Sequence, residues 1–85
     1  MSNIRVYTRP QCHFCQKLKA FLTEEGLAFE EVDVAASAEL QAEMESKTGG
    51  IGSVPQLFVG DQYIGDCFTV LSDAGQDKLK AALAG

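Results

Sequence analysis

Tyr7-Thr8-Arg9-Pro10-Gln11-Cys12-His13-Phe14-Cys15 is the stretch that decides the fold, because its two thiols sit where a strand-like run gives way to one with helical spacing. Upstream, Ile4 and Val6 alternate with polar residues, so Asn3 to Tyr7 reads as a first strand. Downstream, Cys15, Leu18, Phe21, Leu22 and Glu25 recur at steps of three and four, with Gly26 as a stop, which predicts a helix over residues 13 to 25. The dithiol therefore stands at a helix start. A helix N-terminus exposes unpaired amide donors and about half a positive charge, which favours a thiolate at its first position. Cys12 is the candidate nucleophile, and Cys15, one turn on and on the same side, is the candidate resolving thiol.

Working outward, Ala28 to Val34 reads as a second strand, and strand-helix-strand at this spacing implies a right-handed parallel crossover. Ser37 can cap a second helix running to about Ser46 with Leu40 and Met44 inward. Lys47 to Ser53, with Gly49, Gly50 and Gly52, reads as a loop before Val54-Pro55. Gln56 to Val59 and Gln62 to Ile64 flank the turn signal Gly60-Asp61 and predict a hairpin. A third helix is expected from Cys67 to Ala74 and a short terminal one from Gln76 to Ala84, with Leu79 and Leu83 inward. The expected fold class is α/β: a four-stranded mixed sheet in the order β-α-β-α-β-β-α plus the terminal helix, with helices on both faces.

The 85 residues suffice for one small domain, expected to span 1–85, with a single modest core. A net charge of -5 argues against general nucleic-acid binding. No apolar run approaches a membrane span, and residues 1 to 8 lack the regions of a signal peptide, so a cytoplasmic location is expected. Three cysteines form no even disulfide framework, and in a reducing compartment a C-x-x-C pair points to catalysis or metal binding. Residues 1 to 23 carry Arg5, Arg9, Lys17 and Lys19 without one acid. In the first helix the bases lie near the start and Glu24 and Glu25 near the end, the reverse of the macrodipole's preference. That order leaves two readings open, a tolerated solvated face or a basic surround for a thiolate and an anionic substrate.

C-x-x-C beside a βαβ unit is a mark of thioredoxin-like domains. Three blocks narrow the likeness: Tyr7-Thr8-Arg9-Pro10-x-Cys12-x-Phe14-Cys15, Ser53-Val54-Pro55-Gln56-Leu57-Phe58-Val59, and Tyr63-Ile64-Gly65-Asp66-Cys67. In order and approximate spacing they resemble a dithiol glutaredoxin over residues 4 to about 71. The resemblance implies a glutathione-dependent thiol-disulfide oxidoreductase acting on protein disulfides and glutathione mixed disulfides, a monomer using glutathione as co-substrate with no bound cofactor. It also implies a cis bond at Pro55, with Val54 pairing its backbone to glutathione, and contacts from Arg9, Phe14, Asp66, Cys67, Phe68 and Thr69.

Several positions depart from the family pattern. His13 replaces the usual Pro; it is expected neutral and exposed, since a cation at a helix N-terminus is disfavoured. Phe68-Thr69 stands where many members have two acids that help hold the glutathione amino group, leaving Thr69 or Asp66 to substitute. The glycine loop lacks a base that often meets the glycine carboxylate, leaving Arg9 and Lys47. Two alternatives therefore stay open: a redoxin reduced by thioredoxin reductase, and an iron-sulfur binding or delivery module dimerising around a cluster. A zinc site within one chain is not expected, because Cys12, Cys15 and Cys67 supply three ligands and closed sites use four.

An ordinary thiol is only about 3% ionised at pH 7, so useful rates need its charged form favoured by roughly 2.7 kcal/mol. The helix dipole supplies at best about 2 kcal/mol. Amides of Phe14 and Cys15 and the charge of Arg9 are expected to supply the remainder.

Overall fold

The alternation in the first strand sorts the molecule into two layers around one sheet. In the computed structural model, which describes residues 3–84, β1 (Ile4–Thr8) sends Ile4 and Val6 to one face and Tyr7 to the other. Ile4 and Val6 pack with Leu18 and Leu22 of α1 (His13–Glu24), with Leu57 and Ile64, and with Cys67, Val70 and Leu79 from the C-terminal helices. Tyr7 packs with Val34, Met44 and Phe58 beneath α2 (Ala38–Thr48). Each fully buried aliphatic side chain contributes about 2 kcal/mol, so both faces must be covered. Met1, Ser2 and Gly85 of the expected 1–85 domain lie outside the described residues.

The sheet order is β2-β1-β3-β4, with β2 at Phe29–Asp33, β3 at Gln56–Val59 and β4 at Gln62–Gly65. β1 pairs parallel with β2 and antiparallel with β3, and β3 pairs antiparallel with β4 across a shift between Leu57 and Phe58. This is the expected mixed sheet of a thioredoxin-like α/β fold. Glu31 of β2 fastens the crossover: it accepts the Thr8 hydroxyl at 2.8 Å and pairs with Lys19 of α1 at 2.9 Å. Lys19 is thus neutralised within the fold rather than held for a substrate.

Several boundaries differ from the sequence expectation, most by a single residue and a few for a visible physical reason. Val34 leaves the second strand for a 3-10 turn, Val34–Ala36, whose Ala35 amide is taken by Asp33 at 2.9 Å. α2 continues through Lys47 and Thr48, because Gly49 is the residue that enters the left-handed region, at φ 80°. The third helix ends early: α3 is Cys67–Leu71 and α4 is Asp73–Ala84. Ser72 causes the break, its hydroxyl accepting the Gly75 amide at 3.0 Å and its carbonyl the Gln76 amide at 2.9 Å. The Ser37 cap lies where expected, accepting the Glu39 amide at 3.1 Å.

Gly75 is where α4 meets α3. A Cβ there would lie 1.7 Å from the Thr69 carbonyl oxygen, inside a backbone that cannot retreat without moving α3. Gly75→Ala is expected to lower unfolding stability by about 3 kcal/mol or more, read by denaturant melts, whereas the neighbouring exposed Ala74→Ser should cost under about 1 kcal/mol.

Candidate active site

The chain leaves β1 buried at Thr8 and turns through Pro10 and Gln11. Gln11 sits at φ 61°, a left-handed conformation that costs a non-glycine residue about 1 to 2 kcal/mol. That turn delivers Cys12 in an extended conformation, φ -91° and ψ 112°, as the residue that caps α1. Sequence pattern offered no sign of it, since glutamine carries no preference for positive φ.

At the cap, the Cys12 Sγ accepts the Cys15 backbone amide at 3.2 Å. Sulfur here occupies the place usually taken by a Ser, Thr or Asp oxygen. Of the two amides expected to serve this sulfur, it is that of Cys15 that makes the bond. On its other side Cys12 Sγ lies 4.0 Å from the Val54 carbonyl oxygen, toward which the thiol donates. The Val54-Pro55 peptide bond is cis, as the family resemblance implied. All three cysteines are free thiols.

The two cysteines of the pair differ in environment. Cys12 is half-buried, whereas Cys15 is 1% exposed. Burial, with the hydrogen bond to Cys12 second, pushes the Cys15 thiol up to about 12. The Arg9 backbone opposes this by bonding the sulfur. Cys67 is also buried, and burial raises its thiol; Lys17 opposes that shift and the charge of Cys12 adds to it. The start of α3 therefore lies within electrostatic reach of the reactive pair.

The remaining expected residues separate into two groups. Phe14 and Phe68 come together, ring centroids 4.8 Å apart, and exposed His13 stands edge-on to Phe14 at 5.5 Å. Asp66 caps α3, its Oδ1 accepting the Thr69 amide at 2.9 Å. The Arg9 guanidinium, by contrast, is hydrogen-bonded to the Gln41 side chain on α2. Lys47 lies beside Asn3, Ile4, Glu30 and Asp61, at the end of β1 opposite the dithiol, so the expectation that it meets a carboxylate at the site is corrected. Gln41 went unnoticed in the sequence: besides Arg9 it reaches Glu45 at 3.1 Å and the Gly52 carbonyl at 3.1 Å, tying the glycine loop to the residue that precedes the motif. Nothing in its spacing marks that role, which arises from where α2 packs.

A half-exposed sulfur at a helix cap, with a second, buried sulfur one turn on, suits thiol-disulfide exchange, which depends on access and thiolate character. The sequence pattern that defines the family described as Glutaredoxin matches residues 4–64. Glutaredoxin 3 of Escherichia coli (strain K12) is 36% identical over 67 residues, covering 79% of this chain and 80% of that protein. The solution structure of a glutaredoxin from Brucella melitensis superposes with a TM-score of 0.79 at 36% identity, covering 98% of this chain and 89% of the other. The holo form of glutaredoxin C1 from Populus tremula x tremuloides gives 0.80 at 28% identity, covering 98% and 77%. These likenesses define the class, a thiol-disulfide oxidoreductase on a thioredoxin-like fold. Within that class the chain belongs to the glutaredoxin family. No helix among the described residues is long and apolar enough to cross a membrane.

The raised Cys15 thiol carries a stability consequence. Below pH 9, its ordinary value, the thiol is neutral folded or unfolded and the contribution is fully present; above pH 9 the unfolded chain ionises while the folded one holds its proton until about 12. Denaturant melts under reducing conditions should therefore show the protein losing stability from pH 9 upward, and Cys15→Ala should lose less over the same range.

Proposed function

We propose that the protein is a glutathione-dependent oxidoreductase that reduces protein disulfides and glutathione mixed disulfides through Cys12 and Cys15. Cys12 thiolate attacks one sulfur of the substrate disulfide; a new bond forms to Cys12, and the departing thiolate takes up a proton. With a protein disulfide, Cys15 then gives up its proton and attacks Cys12 Sγ, releasing the substrate's second sulfur and leaving a Cys12–Cys15 disulfide. Two glutathione thiols reduce that bond and are themselves joined as glutathione disulfide. With a glutathione mixed disulfide, Cys12 takes the glutathionyl group and a free glutathione thiol removes it as glutathione disulfide, Cys12 departing as thiolate. The carrying observation is the 3.2 Å bond from the Cys15 amide to a half-exposed Cys12 sulfur, beside a Cys15 that is buried. The amide and the helix N-terminus favour negative charge on the attacking sulfur. An odd set of three cysteines with a C-x-x-C pair suits a reducing compartment such as the cytoplasm.

Glutathione is proposed to lie against Val54, whose carbonyl already faces Cys12, with its cysteine extended along the strand before β3. Asp66, Cys67, Phe68 and Thr69 would meet its γ-glutamyl end, and Arg9 and Phe14 its flank. One observation favours a second reading, a redoxin served by thioredoxin reductase. The Asp66 carboxylate already accepts the Thr69 amide, so an incoming carboxylate meets a like charge at the start of α3.

Two measurements separate these readings. Cys15→Ser should retain removal of glutathione from a glutathionylated protein, which needs Cys12 alone, and lose reduction of protein disulfides by about 100-fold or more; loss of both contradicts the assigned roles. Turnover should be supported by glutathione with its reductase, and activity with thioredoxin reductase alone would select the second reading.

A further inference from the structure

Phe68 is 68% exposed and Phe14 40%, and neither belongs to the two buried clusters. Their rings meet at 4.8 Å and 55° on the surface, joining the first turn of α1 to the first turn of α3. Cys12 precedes Phe14 by two residues, and its charge is felt at Cys67, the residue before Phe68. The contact joins two helices but leaves most of the Phe68 side chain in water beside the cysteine pair. Exposed apolar surface of this kind marks a contact with something else.

The occupant is constrained by chemistry. Glutathione carries no apolar side chain, so even where it lies against Phe14 and Phe68 it places no bulky apolar group on the rings. A polypeptide disulfide with a bulky apolar side chain beside its cysteine would cover them. Lys17, one turn after Phe14 and exposed, adds positive charge whose reach extends to Cys67, and residues 3–23 contain no acid. Acidic residues flanking the substrate cysteine complement that rim, although Asp66 across the α3 cap limits how far they extend toward it.

We infer that Phe68, resting on Phe14, is a specificity-determining residue: it forms an apolar seat for the side chain adjoining the cysteine of an acidic polypeptide disulfide and so favours such substrates over glutathione mixed disulfides. This rests on the proposed role of Cys12 as nucleophile. The step read is the first exchange, in which Cys12 thiolate bonds to the peptide sulfur and the sulfur bound to it departs as a thiolate.

Two short peptides of identical acidic sequence, differing only in Phe or Ser after a single cysteine, would each be joined by a disulfide to the same chromogenic aryl thiol. Release of the aryl thiolate then reports attack by Cys12 on the peptide sulfur. The natural chain should react about tenfold faster with the Phe peptide. Phe68→Ser should bring that ratio close to one, and Phe68→Leu, which keeps an apolar seat, should retain a several-fold preference. A ratio near one in the natural chain, or a ratio unchanged in Phe68→Ser, overturns the seat. If both peptides leave Cys12 unmodified while a small aryl disulfide reacts, the seat is overturned and the dithiol reading stands; if no disulfide reacts at Cys12, both fall together.

Discussion

A single hydrogen bond, from the Cys15 amide to the Cys12 sulfur, joins the folding of α1 to its chemistry. A helix start must satisfy amides that have no partner within the helix, and most chains assign an oxygen to the task. This chain assigns a sulfur, which accepts weakly as a thiol and far better as an anion. In the proposed mechanism the bond that caps the helix is also the one that favours a charged nucleophile. Much else in the structure holds that sulfur in place: the left-handed turn at Gln11, buried Thr8 anchored on Glu31, and the Val54 carbonyl opposite.

Burial then divides the labour between the two thiols. Cys15 lies one turn inside α1, among the residues that pack on the sheet, and keeps its proton because its anion would lack solvent. The half-exposed sulfur can meet a substrate, whereas the buried one can meet only its neighbour. In the proposed mechanism Cys15 attacks only after Cys12 is bound in a mixed disulfide, when the neighbouring sulfur that raises its pKa is no longer a thiol. Solvent access is what assigns that order.

Much of this was legible in the sequence because it rests on local rules. Period-two and helical spacing placed all four strands and the first two helices, and Ser37, Gly26 and Gly60-Asp61 marked ends that they do mark. The cysteine pair at the strand-helix junction points to thiol chemistry from its spacing alone. What escaped has a common cause. Ser72 splits the third helix from the fourth by capping, yet in the sequence it is one serine inside an amphipathic run. Gln41 was not singled out, and the surroundings of Lys47 and Phe68, both named from the sequence, follow from packing between distant segments: α2 sets Gln41 beside Arg9 and carries Lys47 to the far end of β1, and the α1–α3 contact brings Phe68 onto Phe14. The α1 charges were open to two readings, and the pairing of Lys19 with Glu31 resolves one of them toward structure.

The central claim is that one thiol of three is both accessible and placed at a helix start, where it accepts a backbone amide. Brief alkylation of the reduced, folded protein with iodoacetamide near neutral pH, followed by peptide mapping, tests it most directly. The account predicts a single adduct, on Cys12, with Cys15 and Cys67 modified only after unfolding. Modification of Cys15 or Cys67 first, or of all three at similar rates, would contradict it.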